Sequence, residues 1–266
     1  MIPPARRAHR PAPTFLDQDG PIAMAHRGFS LDGHENSMSA FAAAVDLGYR
    51  YVETDVHATS DGRLVAFHDA TLDRVTDALG AIAELPWREV TLARIGTSEP
   101  IPLFEDLLGT WPQLRVNVDV KSRAAVQPLV QAIERTRAHD RVLVASFSDR
   151  SRRAVLRRLS APVATSGGPT TVAAFRTASM AGRTRLAGRA LRDVDCLQLP
   201  ESFGRLRVVT HRTVAHAHRA GVQVHVWTVN ETEDMHRLLD LGVDGLITDR
   251  ADLLRDVLRD RGAWPG

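Results

Sequence analysis

Ile22-Ala23-Met24-Ala25-His26, a helical pattern over residues 39–47 that stops at Gly48, then Tyr51-Val52-Glu53-Thr54-Asp55-Val56: the first third of the chain alternates strand, helix and strand. A short apolar run, a helix closed by glycine and a second apolar run make a βαβ unit, whose strands are parallel. The alternation continues. Strands are expected at 22–26, 51–56, 115–120, 142–146, 162–165, 194–199, 222–228 and 245–248. Helices are expected at 39–47, 124–137, 150–159, 213–220 and 232–241. Eight strands in 266 residues fit one TIM (β/α)8 barrel, a single α/β domain over residues 21–266. Residues 1–20 read as a flexible lead-in, ordered only where it meets the first strand.

One extended run, 64–68, does not fit the alternation. Too few residues separate it from the second strand for a crossover between parallel neighbours, and Asp61-Gly62 is a hairpin turn signal. It is therefore expected to fold back beside the second strand and return a side chain to the barrel mouth. Residues 69–108 then form a long connection with helical turns at 86–90 and 103–108, and loops of that length tend to be functional. Residues 167–169 and 182–192 read as loop or helix-end material. Arg183, Arg185, Arg189 and Arg192 read as a solvated face.

Composition excludes several classes. Lys+Arg is 34 against Asp+Glu 32, a formal charge of +2, with the arginines scattered. That is too little for a nucleic-acid surface. No apolar window is long enough to span a bilayer, and no apolar core marks the N-terminus as a secretory signal. Cys196 is the only cysteine, so no internal disulfide is available, in keeping with a cytoplasmic location. Lys121 is the only lysine. In a chain that otherwise uses arginine, its retention points to a place where a guanidinium does not serve.

Barrel enzymes carry their chemistry at the carboxyl ends of the strands, and the titratable residues accumulate there. The ends read His26-Arg27-Gly28, Glu53-Thr54-Asp55, His68-Asp69, Asn117-Val118-Asp119-Val120-Lys121, His225-Val226-Trp227-Thr228-Val229-Asn230 and Thr248-Asp249-Arg250. Glu53 and Asp55 are two apart and share a face, as do Asp119 and Lys121. Carboxylates turned inward repel unless a cation lies between them. Two readings stand: Glu53, Asp55 and Asp119 form an all-oxygen site for one divalent cation, Mg2+ or Ca2+ with Mn2+ also suited, or the carboxylates pair with Arg27 as structural ions. Arg27 and Lys121 suit phosphoryl oxygens, or Lys121 simply neutralises the carboxylates beside it. His26 and His68 suit proton transfer near neutrality. Trp227 either lines a cleft or packs. His225 is expected to pack, and His57 to turn away from Asp55.

Six motifs in order carry a resemblance over residues 22–256. They are Ala25-His26-Arg27-Gly28, Glu35-Asn36-Ser37, Glu53-Thr54-Asp55-Val56, and Asp61-Gly62 with Phe67-His68-Asp69. Then follow Asn117-Val118-Asp119-Val120-Lys121, and Val226-Trp227-Thr228-Val229-Asn230 with Asp244-Gly245-Leu246-Ile247-Thr248-Asp249. Together they resemble the glycerophosphodiester phosphodiesterase family. The resemblance implies His26 and His68 as catalytic histidines, and Glu53, Asp55 and Asp119 as metal ligands. It implies Arg27 and Lys121 as phosphate contacts, Glu35 as a supporting glutamate and Trp227 as an aromatic near the substrate. The implied reaction is metal-dependent hydrolysis of a small glycerophosphodiester to an alcohol and glycerol 3-phosphate. Asp119 stands where the family more often has Glu, His34 where proline is usual and Ser37 where threonine is usual. The alternatives are a sphingomyelinase D or lysophospholipase D type of phosphodiesterase, which calls for a broad apolar cleft, and a non-catalytic phosphate-ligand module. A metal amidohydrolase barrel calls for His-x-His, and Gly28 occupies that second position.

Overall fold

The computed structural model describes residues 14–96, 98–204 and 206–264. Eight parallel strands form the barrel: β1 (Ile22–His26), β2 (Tyr51–Ala58), β3 (Arg115–Val120), β4 (Val142–Ala145), β5 (Ala164–Thr165), β6 (Cys196–Pro200), β7 (Gln223–Trp227) and β8 (Gly245–Thr248). The hydrogen-bonded order is β5-β4-β3-β2-β1-β8-β7-β6. A single parallel bridge, Ser166 with Cys196, closes β5 onto β6. The last two expected strands of the seam start late. β5 keeps only two residues and β6 begins at Cys196; Asp195 crosses the seam, accepting the Thr165 amide on its carboxylate at 3.0 Å and donating its own amide to the Thr165 carbonyl.

Side-chain parity sorts every strand into two faces. Ala23, Ala25, Val52, Val56, Val116, Val118 and Val144 point outward into the helix layer. Ile22, Met24, Tyr51, Leu143, Ala164, Cys196 and Ile247 fill the barrel floor, joined by Phe15 and Leu16. The same inward parity, carried two residues further, delivers His26, Glu53, Asp55, Asn117 and Asp119 to the mouth. Phe15 and Leu16 belong to a 3-10 turn, Thr14–Leu16, and are buried. The last part of the expected lead-in thus packs against the barrel's lower end, where the Phe15 ring is buried. Residues 1–13 of that lead-in lie outside the described residues.

Around the barrel the helices are α1 (Met38–Asp46), α2 (Phe104–Thr110), α3 (Val126–Thr136), α4 (Asp149–Leu156), α5 (Pro169–Met180), α6 (Thr184–Ala190), α7 (His211–Arg219), α8 (Thr232–Asp240) and α9 (Ala251–Asp260), and a further single turn of helix, Trp87–Val90, lies in the connection after β2. Ser37 caps α1 by accepting from the Ala40 amide, and Ser148 and Thr210 cap α4 and α7 in the same way. Serine therefore does the capping work at position 37. Helix α6 is a correction, since residues 182–192 read as loop or helix-end material. It is short and rich in arginine, and a narrow buried stripe centred on Ala187 is all that docks it. Arg183, Arg185, Arg189 and Arg192 are exposed.

The excursion after β2 is as expected. Leu64–Ala66 pairs antiparallel with β2, placing Ala66 opposite Val56 and Leu64 opposite Ala58. The connection beyond it encloses a core of its own, with Phe67, Leu72, Ile82, Val90 and Ile95 packed together. It is a compact flap on the rim.

Asp149, the first residue of α4, ties the β4 and β5 loops together. Its carboxylate accepts from the hydroxyls of Thr170 and Thr171, the amides of Gly168, Thr170 and Thr171, and the buried Arg152 guanidinium. Burial alone would raise this carboxyl, but the two hydroxyls, the Thr171 amide and Arg152 outweigh it and hold it at about 2. A depressed carboxyl stabilises the fold above its unfolded value and loses that contribution as pH falls through the folded one. Asp149→Asn is therefore expected to cost roughly 1–2 kcal/mol at pH 7 by urea unfolding. The difference from the unmodified chain should shrink between pH 4 and 2. A constant difference across that range would assign the loss to packing.

Candidate active site

His26 ends β1 and faces inward. The chain then turns sharply, with Arg27 at φ 56° and Gly28 at φ 83°. A Cβ on Gly28 would lie 2.6 Å from the Ala40 backbone of α1, so only glycine allows the turn that holds Arg27 over the mouth. Register does the rest: His26 lies beside Glu53, Glu53 beside Asn117 and Asp55 beside Asp119.

Each histidine is held by an aspartate. His26 Nδ1 is 2.6 Å from Asp249 Oδ1, and its Nε2 faces Glu53 Oε2 at 3.7 Å. His68 Nδ1 is 2.6 Å from Asp69 Oδ1. Burial works against a charged His26, but the Asp249 hydrogen bond and the Glu53 carboxylate prevail and raise its affinity for a proton. Asn230 in turn fixes Asp249, donating from Nδ2 to Oδ2 at 2.9 Å and accepting the Asp249 amide. Arg74, on the flap, donates to Asp69 and to Glu35. Hydrogen bonding from Arg74 holds Asp69 at about 2.

The charges alternate around the cleft. Lys121 Nζ lies 2.8 Å from Asp55 Oδ1 and 2.9 Å from Asp119 Oδ2. Arg27 Nε is 3.2 Å from Asp55 Oδ2 but poorly aligned to bond it, and Arg27 NH1 donates to Glu35 at 2.9 Å. Asn36 Nδ2 donates to Asp55 Oδ2 at 3.2 Å. Burial would raise the Asp55 carboxyl, yet Lys121 and Arg27 bring it below its ordinary value. Burial, with Asp55 and Asp119 nearby, raises Glu53. Burial also dominates at Asp119 and raises it despite Lys121.

At the mouth, among the described residues, three buried oxygens have no hydrogen-bond partner: Glu53 Oε2, Asp119 Oδ1 and Asn117 Oδ1. Leaving such atoms unsatisfied costs about 1–3 kcal/mol each. As hard oxygen donors on adjoining strands they fit a divalent cation of the Mg2+, Ca2+ or Mn2+ kind. Asp55 fits less freely, since both its oxygens are engaged. Among the described residues no group of three or more His, Cys, Asp or Glu side chains is already arranged to hold an ion.

All nine candidate residues gather at one end of the barrel except that Glu35 stands behind Arg27, at its rim. Trp227 does both things expected of it, packing beside Phe147 with centroids 6.0 Å apart and lining the cavity. His225 is fully buried and bonds Gln223. His57 is a correction. It lies two residues past Asp55, so a strand's period of two turns it the same way, and its Nε2 meets the His68 carbonyl at 3.1 Å. Asp249, Asn230, Asn36, Asn117, Arg74 and Phe147 were given no role from the sequence. Asp249 and Asn230 stood in the quoted strand ends, but nothing local says that residue 249 holds residue 26.

The glycerophosphoryl diester phosphodiesterase family profile matches residues 26–253. A Mycobacterium tuberculosis protein named "Probable glycerophosphodiester phosphodiesterase 2" is 51% identical over 258 residues, 96% of this chain and 98% of that one. A glycerophosphodiester phosphodiesterase of Caldanaerobacter subterraneus is 32% identical over 256 residues, 91% of this chain and 99% of that one. A solved Oleispira antarctica phosphodiesterase, in complex with the product sn-glycerol-3-phosphate, has the same fold. Its TM-score is 0.74 at 23% identity, covering 90% of this chain and 97% of that one.

Proposed function

Because the chain belongs to the glycerophosphoryl diester phosphodiesterase family, and is thus an enzyme acting on glycerophosphodiesters, we propose that it releases an alcohol and glycerol 3-phosphate with His26 and His68 as the proton-transfer pair and one divalent cation at Glu53, Asp55 and Asp119. The observation that carries this is the pair of Asp-held imidazoles beside unpartnered carboxylate oxygens. The cation, Mg2+, Ca2+ or Mn2+, would supply Lewis acidity toward the phosphoryl oxygens. In the present arrangement Glu53 and Asp119 offer it free oxygens, while Lys121, Arg27 and Asn36 engage Asp55.

The side chains divide the remaining work. Arg27 and Lys121 carry positive charge into the cleft and stabilise the extra negative charge of the transition state. An Nδ1–H donated to a carboxylate leaves Nε2 of the same ring free to take a proton. One histidine takes the proton of the attacking oxygen, and the other returns one to the leaving alcohol. Glu35 and Arg74 hold Arg27 and Asp69 in place, and Trp227 walls the substrate side. No helix among the described residues is long and apolar enough to cross a membrane. The single buried thiol, Cys196, supports a cytoplasmic location.

The test is release of glycerol 3-phosphate from sn-glycero-3-phosphocholine before and after chelation. Chelation is expected to lower the rate by at least about 10²-fold, with recovery on adding Mg2+, Ca2+ or Mn2+. Undiminished activity in the stripped enzyme would remove the metal from the proposal. Phosphocholine and free glycerol as products would overturn the assignment of the broken bond.

A further inference from the structure

The catalytic groups occupy one side of a cavity of about 630 Å³. The other side runs over the carboxyl ends of β4 to β7, where Phe147, Phe203, Val208 and Trp227 form an apolar wall. Two polar side chains interrupt that wall. Positions 169, 172, 173 and 176 line the cavity at helical spacing, so α5 turns one face toward it and carries Arg176 there. Gln198 stands two residues beyond the floor residue Cys196 on β6, and the same inward parity brings it to the mouth. Its Nε2 is a buried donor with no hydrogen-bond partner among the described residues.

Arg176 differs from the other cations of the cavity in having nothing to neutralise. Arg27 bonds Glu35 and lies against Asp55, and Lys121 sits between Asp55 and Asp119. Arg176 is half-buried and has no ion pair or hydrogen bond among the described residues. The acidic residues lining the cavity among the described residues are Glu53, Asp55 and Asp119, all at the catalytic end. A guanidinium beside an apolar wall and away from carboxylates keeps its field, because hydrocarbon screens it less than water does. These charges also orient a substrate. Glycerol hydroxyls are donors that need acceptors, and the catalytic end supplies them in its carboxylates and Asn117 Oδ1. The leaving alcohol is thereby directed toward β5 and β6. A trimethylammonium placed there meets Arg176 and Lys121, whose Nζ already sits 5.5 Å from the centre of the Phe147 ring, and finds no carboxylate. A carboxylate or phosphate meets a forked guanidinium and an amide donor.

We infer that Arg176 and Gln198 form a subsite for an anionic group on the leaving alcohol, so that this enzyme prefers glycerophosphodiesters whose head group carries a carboxylate or a phosphate; the inference rests on the phosphodiesterase reading above. Arg27 and Lys121 hold the diester at one end of the cavity, and Arg176 holds the second anion across the mouth. Arg176 is thus a specificity-determining residue, and it acts on the choice of substrate rather than on proton transfer.

The test compares kcat/KM within two substrate pairs. Glycerophosphoserine and glycerophosphoethanolamine differ by one carboxylate, and glycerophosphoinositol 4-phosphate and glycerophosphoinositol differ by one phosphate. The anionic member is expected to be favoured by about 10–100-fold, the usual worth of a hydrogen bond between charged groups. A gain in the serine pair alone assigns a carboxylate to the subsite, and a gain in the inositol pair alone assigns a phosphate. Arg176→Met should bring the ratio within each pair close to one, Arg176→Lys should leave it intermediate, and Gln198→Leu should lower it by a smaller factor. Each ratio is read within one preparation, so a loss of folded enzyme cancels. Equal efficiency within both pairs overturns this inference and leaves the phosphodiesterase reading standing, and a preference that persists in Arg176→Met does the same. Hydrolysis of none of the four overturns both.

Discussion

His26→Ala is expected to lower kcat/KM toward a glycerophosphodiester by about 10²–10⁴-fold, the usual size of a lost general acid or base. The substitution removes the ring nitrogen that faces Glu53 Oε2 at 3.7 Å and strands the carboxylate of Asp249. His68→Ala should act on the same scale. If the two rings serve one transition state, the double variant will fall well short of the product of the single losses. Asp249→Asn gives the internal control. It keeps the imidazole but removes the charged acceptor at Nδ1, so its loss should be smaller and fall mainly on kcat. Near-normal turnover by His26→Ala or His68→Ala would end the assignment of that ring.

Lys121→Met should damage stability and catalysis together. The ammonium lies between Asp55 and Asp119 at 2.8 and 2.9 Å, and both carboxylates are buried. Removing one partner of a buried ionic cluster costs about 3–5 kcal/mol, because the remaining charges lose their neutralisation. The pH dependence has a definite sign. In the parent chain Lys121 and Arg27 hold the Asp55 carboxyl low against the pull of burial, so its contribution is present at neutral pH. Without Lys121, burial and mutual repulsion lift Asp55 and push Asp119, already raised in the parent, further up, and the variant gains stability as it is acidified. Urea midpoints of variant and parent should therefore approach each other from pH 7 to pH 5. Lys121→Arg should recover much of the stability and little of the activity, since a planar fork replaces a point charge in a fitted site. A variant as stable as the parent at pH 7 would show that water already neutralises the pair.

The catalytic end was legible in the chain because strand periodicity is local. Once residues 51–56 and 115–120 are read as strands, Glu53 with Asp55 and Asp119 with Lys121 must share faces. The glycine stops and the serine and threonine caps are equally local. Helix α6 was missed because it is held by contact with the barrel's helix layer rather than by its own amphipathic pattern. The same period of two places His57 on the face of Asp55, where its ring meets the His68 carbonyl.

The sequence by itself determined the alternating α/β architecture, the parity of each strand and the family to which its ordered motifs pointed. Only the tertiary structure decided that Asp249 holds His26 across 223 positions of chain, because closure brings β8 beside β1. It alone placed Arg74 between Glu35 and Asp69, and turned Phe147, Phe203 and Val208 into one apolar wall. Backbone geometry repeats every two or 3.6 residues and can be counted along the chain, whereas contacts between distant segments exist only after the sheet has closed.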